Sequence, residues 1–211
     1  MRKLVAENVP ERTKLPKSSV QPHKPARPFK DEDLANTLTL QRELDEDYAL
    51  LTEFLVLTGL RWGEVCALTV GDLIHYPRPS IRVSKSKTER FPVKKMKSGR
   101  ERRVPLSKRA IEIARNRTRG REANELIFTA PRGGPLSQGN YRRAIAWTRT
   151  APNPRPHDLR HTAGANWIRL GIHIGVVSLW LGLSKVRITQ EIYVNILAMV
   201  GEEESVNRLE S

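Results

Sequence analysis

A single cysteine, Cys66, excludes an intramolecular disulfide and a cysteine-based zinc site. Five histidines show no paired metal-ligand spacing with carboxylates, so a metal-free and cofactor-free mechanism in a reducing cytoplasm is the economical expectation. No run of about eighteen apolar residues exists. The richest stretch, 50–60, is interrupted by Thr52 and Glu53 and is too short to span a bilayer. The basic first residues lead into no apolar segment, so no secretory signal is visible. Acids are outnumbered: 23 Asp and Glu against 37 Lys and Arg give a formal charge of +14 and a pI near 10.4. A polyanion is then the natural partner, ahead of a membrane surface. What remains, 211 residues of which 38% are hydrophobic, suffices for one sizeable core.

Residues 1–30 hold five prolines and eight Lys or Arg against two acids, and read as an extended basic linker without a core. Order is expected from Asp31-Glu32-Asp33, acids suited to a helix start. A helix over 45–57 is apolar on nearly every side (Leu50, Leu51, Phe54, Leu55, Val56, Leu57) and should be central, with Gly59 as its C-terminal cap. Short strands are expected over 80–84 and 91–106, with Ser98-Gly99 as the turn signal. Ser107 and Ser137 have N-cap chemistry for helices over 107–118 and 138–148. Pro152, Pro154 and Pro156 precede a helix over 158–170, and two more follow over 174–181 and 188–200. The fold class is mixed α/β, mainly α-helical with one small antiparallel sheet.

Arg61 and Glu64, three apart, share a face of a helical turn while Trp62, Val65 and Cys66 turn inward. A surface ion pair would give the same pattern. His157 and Arg160 repeat the spacing on a later helix whose apolar stripe is Leu159, Ala163, Trp167 and Leu170, leaving His157, Arg160 and His161 on the other side. A solvated basic face would look alike. Arginine supplies a fixed fork of donors for phosphate oxygens, and imidazole exchanges a proton near neutral pH. Residues 85–109 hold eleven Lys or Arg against two acids. Lys85, Lys87, Lys94, Arg100, Arg102 and Arg103 are candidate contacts to a phosphate backbone, and Arg115, Arg117, Arg119 and Arg121 extend the patch. A strand edge protected by lysines is the structural alternative. Lys97, at the expected turn, could reach into a groove and deliver a proton to a leaving oxygen. Of four tyrosines, only Tyr193 follows both arginine segments.

Thr58-Gly59-Leu60-Arg61-Trp62-Gly63-Glu64, Lys97-Ser98-Gly99 with Val104-Pro105-Leu106, His157-Asp158-Leu159-Arg160-His161-Thr162, and Leu181-Gly182-Leu183-Ser184 through Tyr193 occur in that order. Together they resemble the four boxes of the tyrosine recombinases, specifically phage-type integrases, over about 27–200. The resemblance implies site-specific recombination of double-stranded DNA at attachment-type sites through a 3′-phosphotyrosyl intermediate. Tyr193 would be the nucleophile, Arg61 and Arg160 the phosphate clamp, and His157 a base or donor beside them. Lys97 would be the general acid, with Lys95 as the alternative, and Glu64 would support Arg61. No metal or nucleotide is implied.

Two departures stand out. Leu183 occupies a position where the family has His or Trp. Losing such a donor costs on the order of 10²-fold unless packing substitutes for it. The helical DNA-gripping domain that normally precedes this one is not recognisable: residues 1–27 resemble its tail and the linker, and 28–211 the catalytic domain. The tail, 201–211, would dock on a neighbouring protomer or fold back locally. By the same resemblance the chain is a monomer off DNA and a homotetramer on it. A nicking-and-swivelling topoisomerase shares the chemistry, and a DNA-binding module that has lost catalysis is the rival of another class.

Overall fold

Helix α1 (Asp31–Leu44) carries three acids in its first turn, where they meet the positive end of the helix dipole. It is followed at once by α2 (Glu46–Thr58), whose N-cap Asp45 accepts a hydrogen bond from the Tyr48 amide at 2.9 Å. In the computed structural model the described residues are 27–87, 93–95, 101–131, 133–151, 155–183, 190, 193 and 194. The basic linker up to residue 26, the tail 201–211, and Lys97, Ser98, Gly99 and Arg100 lie outside them. Of the helix expected over 188–200, Gln190, Tyr193 and Val194 are described and are helical.

As the sequence suggests, α2 is the centre of the molecule, with Leu51, Phe54 and Leu55 buried among Ile81, Val104, Ile113, Ile127 and Leu159. Truncating Phe54 to Ala would cost about 3–5 kcal/mol. Gly59 ends the helix at φ 60°, the left-handed region that glycine enters freely, and turns the chain into the short helix α3 (Trp62–Val65). A 3-10 turn (Val70–Asp72) leads to β1 (Leu73–Ile74), β2 (Ser80–Val83), β3 (Lys85–Ser86), β4 (Lys94–Lys95) and β5 (Arg102–Pro105). β1, β2 and β5 form an antiparallel sheet in that order, and β3 pairs with β4. Ile81 faces Val104 inward while Arg82 and Arg103 face each other outward, the alternation a one-sided sheet requires.

The residues of the expected turn, Ser98 and Gly99, lie outside the described residues. Lys85 pairs with Lys95 and Ser86 with Lys94, which puts the reversal within 87–93. Residues 96–101, Lys97 among them, instead lie between β4 and β5, where the outgoing arm has Ser84 alone. The polar run in this arm lacks the apolar alternation that fixes register, so the sequence carries no sign of it.

Helix α4 (Lys108–Thr118) starts on Ser107 and α5 (Gln138–Ala144) on Ser137, both side chains capping as expected. The helix expected over 138–148 is split. Ala146 sits at φ 45° and begins α6 (Trp147–Thr150), redirecting the chain so that Tyr141, Ile145 and Trp147 are all buried. No Gly or Pro marks the break; burial of two large rings offsets a left-handed alanine that costs about 1–2 kcal/mol. Helices α7 (Asp158–Arg169) and α8 (Ile174–Leu181) follow. A second cluster of Ala165, Ile168, Val177 and Leu181 closes over Tyr193, with Leu183 packed against it.

Candidate active site

The turn after α2 delivers Arg61 to the start of α3, where its amide donates to Glu64 Oε2 at 2.8 Å and its Nη1 to Glu64 Oε1 at 2.9 Å. Glu64 is not the outer half of a surface pair: only 2% of it is exposed. Arg102 from β5 covers it from the other side, donating Nη1 to Oε1 at 2.9 Å and Nη2 to Oε2 at 2.7 Å. Burial alone would raise the Glu64 carboxyl. The hydrogen bonds and charge of Arg102, and then those of Arg61, outweigh it and hold the group below the usual carboxylate range. Removing either partner of such a buried pair costs about 3–5 kcal/mol, because the other charge is left uncompensated.

The same observation corrects the reading of Arg102 as a DNA contact. It is 6% exposed, and its Nε donates to the Trp180 carbonyl at 2.6 Å. The signal was available: on β5, Arg102 and Val104 share the inward face and Arg103 the outward one.

On α7, Asp158 is buried and held by Arg155 at 2.8 Å. Arg160 also turns inward rather than joining a solvated face. Its Nη1 donates to the Gly59 carbonyl at 2.5 Å and its Nη2 to the Leu181 carbonyl. Burial, reinforced by the charge of Arg61, lowers its pKa to about 9, which leaves it protonated at neutral pH. His157, at the N-cap, is lowered by loss of hydration and by the Arg160 charge, although part of its ring reaches solvent. His161 stands edge-on to it, ring centroids 4.9 Å apart, and is lowered to about 4 by burial, His157 and Arg160. Both rings are therefore neutral at pH 7 and able to accept a proton.

Tyr193 is 1% exposed, and its ring centroid lies 6.3 Å from that of His161. Burial pushes its phenol up to about 12, with Arg160 acting in the opposite sense. The ring rests on Gly164, where an added Cβ would overlap the hydroxyl oxygen and come within 2.6 Å of Cζ. Neither this close approach nor the inward turn of Arg160 was evident in the sequence. Leu183 packs into the same apolar cluster.

The hairpin residues divide. Lys94 and Arg103 are exposed. Lys87 is half-buried, its amide donating to the Gly63 carbonyl at 2.8 Å, and docks the hairpin on α3. Lys85 is committed inside, its Nζ 2.9 Å from buried Asp72. Lys95 stands in β4, and Lys97 and Arg100 lie outside the described residues. In the further basic cluster Arg115 and Arg119 are exposed, whereas Arg117 pairs with Asp47 and Arg121 donates to the Leu126 carbonyl. The structure thus brings Arg61, Glu64, His157, Arg160, His161, Leu183 and Tyr193 around the end of α8. Among the described residues no cluster of three or more His, Cys, Asp or Glu could hold a metal ion. Two guanidinium groups, neutral imidazoles and a phenol side by side can bind a phosphate diester and attack it.

The helical fold with its small antiparallel sheet has counterparts among known proteins. The model of the phage integrase family matches residues 27–199, and the chain belongs to that family. Tyrosine recombinase XerC of Corynebacterium efficiens is 31% identical over 161 residues, 73% of this chain and 47% of that protein. XerC of Bacillus subtilis is 25% identical over 207 residues, covering 92% of this chain and 64% of the relative. The chain thus spans about half to two thirds of the length of these relatives. The integrase of transposon Tn1549, solved in complex with a circular intermediate DNA, superposes with a TM-score of 0.69 at 19% identity over 82% of this chain and 62% of that one. XerA recombinase gives 0.64 at 20% identity over 89% and 65%. At these identities the two structures speak to the fold, which they share with this chain. Among the described residues no helix is long and apolar enough to cross a membrane.

Proposed function

We propose that this chain is the catalytic part of a site-specific tyrosine recombinase, cutting and rejoining double-stranded DNA through a 3′-phosphotyrosyl link. The observation that carries the reading is the convergence of Arg61, Arg160, His157, His161 and Tyr193 at one end of α8, in a chain of charge +14. The phenol oxygen of Tyr193 attacks the scissile phosphorus as its proton passes to His157. The bond from phosphorus to the 5′ oxygen breaks, and Lys97, or Lys95 in its place, protonates that oxygen. Arg61 and Arg160 bind the non-bridging oxygens, where negative charge builds in the transition state. Attack by a 5′-hydroxyl reverses the step on the same or another strand. The phosphotyrosyl link keeps the energy of the broken bond, so rejoining draws on no nucleotide.

His157, lowered and therefore neutral at pH 7, is free to accept a proton, and it stands edge-on to His161, whose ring in turn contacts that of Tyr193. Arg61 and Arg160 rest on backbone carbonyls, which phosphate oxygens, being charged, outcompete as acceptors. The chain is proposed to act in the host cytoplasm, to bind DNA as a monomer and to assemble as a homotetramer on paired attachment sites. The finer reading, integration and excision of phage type, rests on the four ordered boxes.

The test is incubation with a library of nicked duplexes randomised around the nick, recovery of those trapped covalently, and strand exchange between recovered sites. Adducts and exchange at a defined sequence support the reading. Exchange between two unlike sites supports integration; exchange confined to two copies of one site contradicts it. Relaxation of supercoiled plasmid without any selected site would point instead to a topoisomerase.

A further inference from the structure

Three arginines from three separate elements end on three successive carbonyls at the C-terminus of α8. Arg102 donates to Trp180 at 2.6 Å, Arg160 to Leu181, and Arg61 to Gly182 at 3.2 Å. Last-turn carbonyls lack intrahelical partners and carry the negative end of the helix dipole, so cations are favoured there. Two of these arginines form the phosphate clamp of the function proposed above. The third has no part in it so far.

Arg102 is bound at every face of its guanidinium. Two nitrogens hold both oxygens of Glu64, and Nε holds the Trp180 carbonyl. Glu64 in turn fixes Arg61 through its amide and its Nη1. Gly182, at φ 60°, lies so close that a Cβ there would come within 3.0 Å of Arg102 Cδ and Nη1. The guanidinium therefore joins β5, α3 and the end of α8, and Leu181 at that end packs in the cluster that contains Tyr193. Only a planar fork satisfies three acceptors in these directions; a lysine ammonium in the same place reaches fewer of them.

We infer that Arg102 is a positioning residue for strand cleavage: it locks Glu64 and the last turn of α8 into one frame, and so sets the Arg61 guanidinium against the seat of Tyr193. The inference rests on the recombinase reading and replaces a phosphate contact as the role of this arginine. Arg102 touches neither DNA nor the reacting atoms. Its effect is to be sought in the rate of cleavage and not in affinity.

The experiment measures single-turnover adduct formation on a nicked duplex recovered from the randomised library. It uses wild type, Arg102→Lys and Arg102→Met, each also combined with Glu64→Gln, with gel-shift affinity across a salt series and far-UV circular dichroism. Both Arg102 variants should bind duplex with wild-type affinity and salt slope. Cleavage should fall about 10- to 100-fold in Arg102→Met, the range seen when supporting partners of active groups are lost, and less in Arg102→Lys. In the Glu64→Gln background the Arg102 changes should add little, because both act through one linkage. If Arg102→Met does not fold, Arg102→Lys, which keeps the charge, carries the test. Wild-type cleavage rates, full multiplication of the two losses, or a salt slope reduced by about 0.9, the mark of a lost phosphate contact, would each overturn the inference. Absence of any adduct with wild type overturns the recombinase reading itself; adducts indifferent to Arg102 overturn the positioning role alone.

Discussion

The Tyr193 ring lies directly on the backbone of Gly164, with no room for a side chain between α7 and the phenol. A methyl group at 164 must displace the tyrosine, since the helix backbone cannot give way as cheaply as a side chain.

Gly164→Ala is therefore expected to leave duplex binding at wild-type affinity and to lower adduct formation by about tenfold or more, as small displacements of reacting groups do. Gel shift and single-turnover cleavage on the same duplex check this. Unchanged cleavage would show that Tyr193 reacts from another place.

Leu183 packs against the Tyr193 cluster, where a histidine would put a polar group among apolar neighbours. Leu183→His and Leu183→Ala should both slow cleavage, and Leu183→Trp should be tolerated better than Ala. A faster His variant would instead mean that a missing donor limits the chemical step.

Much of this arrangement was legible beforehand. The apolar run around Leu51 and Phe54, the acids at Asp31–Asp33 and the serine caps are local signals with one structural outcome each. The hidden parts are those where tertiary contacts overrule a local pattern. Arg160 sits where a solvated helix face is expected, yet the carbonyls of Gly59 and Leu181 draw it inside. The break at Ala146 carries no glycine, because burial of Tyr141 and Trp147 stabilises it from a distance. Arg102 lies within a charge run, but its period-two partnership with Val104 points it inward.

His161 provides a test of the electrostatics by stability. Its folded pKa, about 4, is depressed below the ordinary 6.5, so the unfolded chain binds the proton more readily between these values. Stability should be fully present above about pH 6.5 and fall as the pH drops toward 4. His157, Arg160 and Arg155 face the ring and oppose its charging. In His161→Gln the thermal midpoint should decline less between pH 6.5 and 4.5 than in wild type. An identical decline in both proteins would contradict the placement of His161.

Binding to duplex DNA should be steeply salt-dependent, with each phosphate contact adding about 0.9 to the slope of log K against log salt. Lys94→Ala and Arg103→Ala, which alter exposed side chains, should each flatten that slope. Lys85→Ala should mainly destabilise the fold by taking the nearer cation from buried Asp72, which keeps only Arg82 at 3.6 Å and the Thr69 hydrogen bonds. Fluorescence anisotropy at several salt concentrations and a thermal melt separate the two effects.

The most direct measurement is to digest the covalent complex formed on a nicked duplex and locate the nucleotide-bearing peptide by mass spectrometry. The nucleotide should be found on Tyr193 through its 3′ phosphate, and Tyr193→Phe should bind the same duplex yet form no adduct. A nucleotide on any other residue, or an adduct that persists in Tyr193→Phe, would contradict the account.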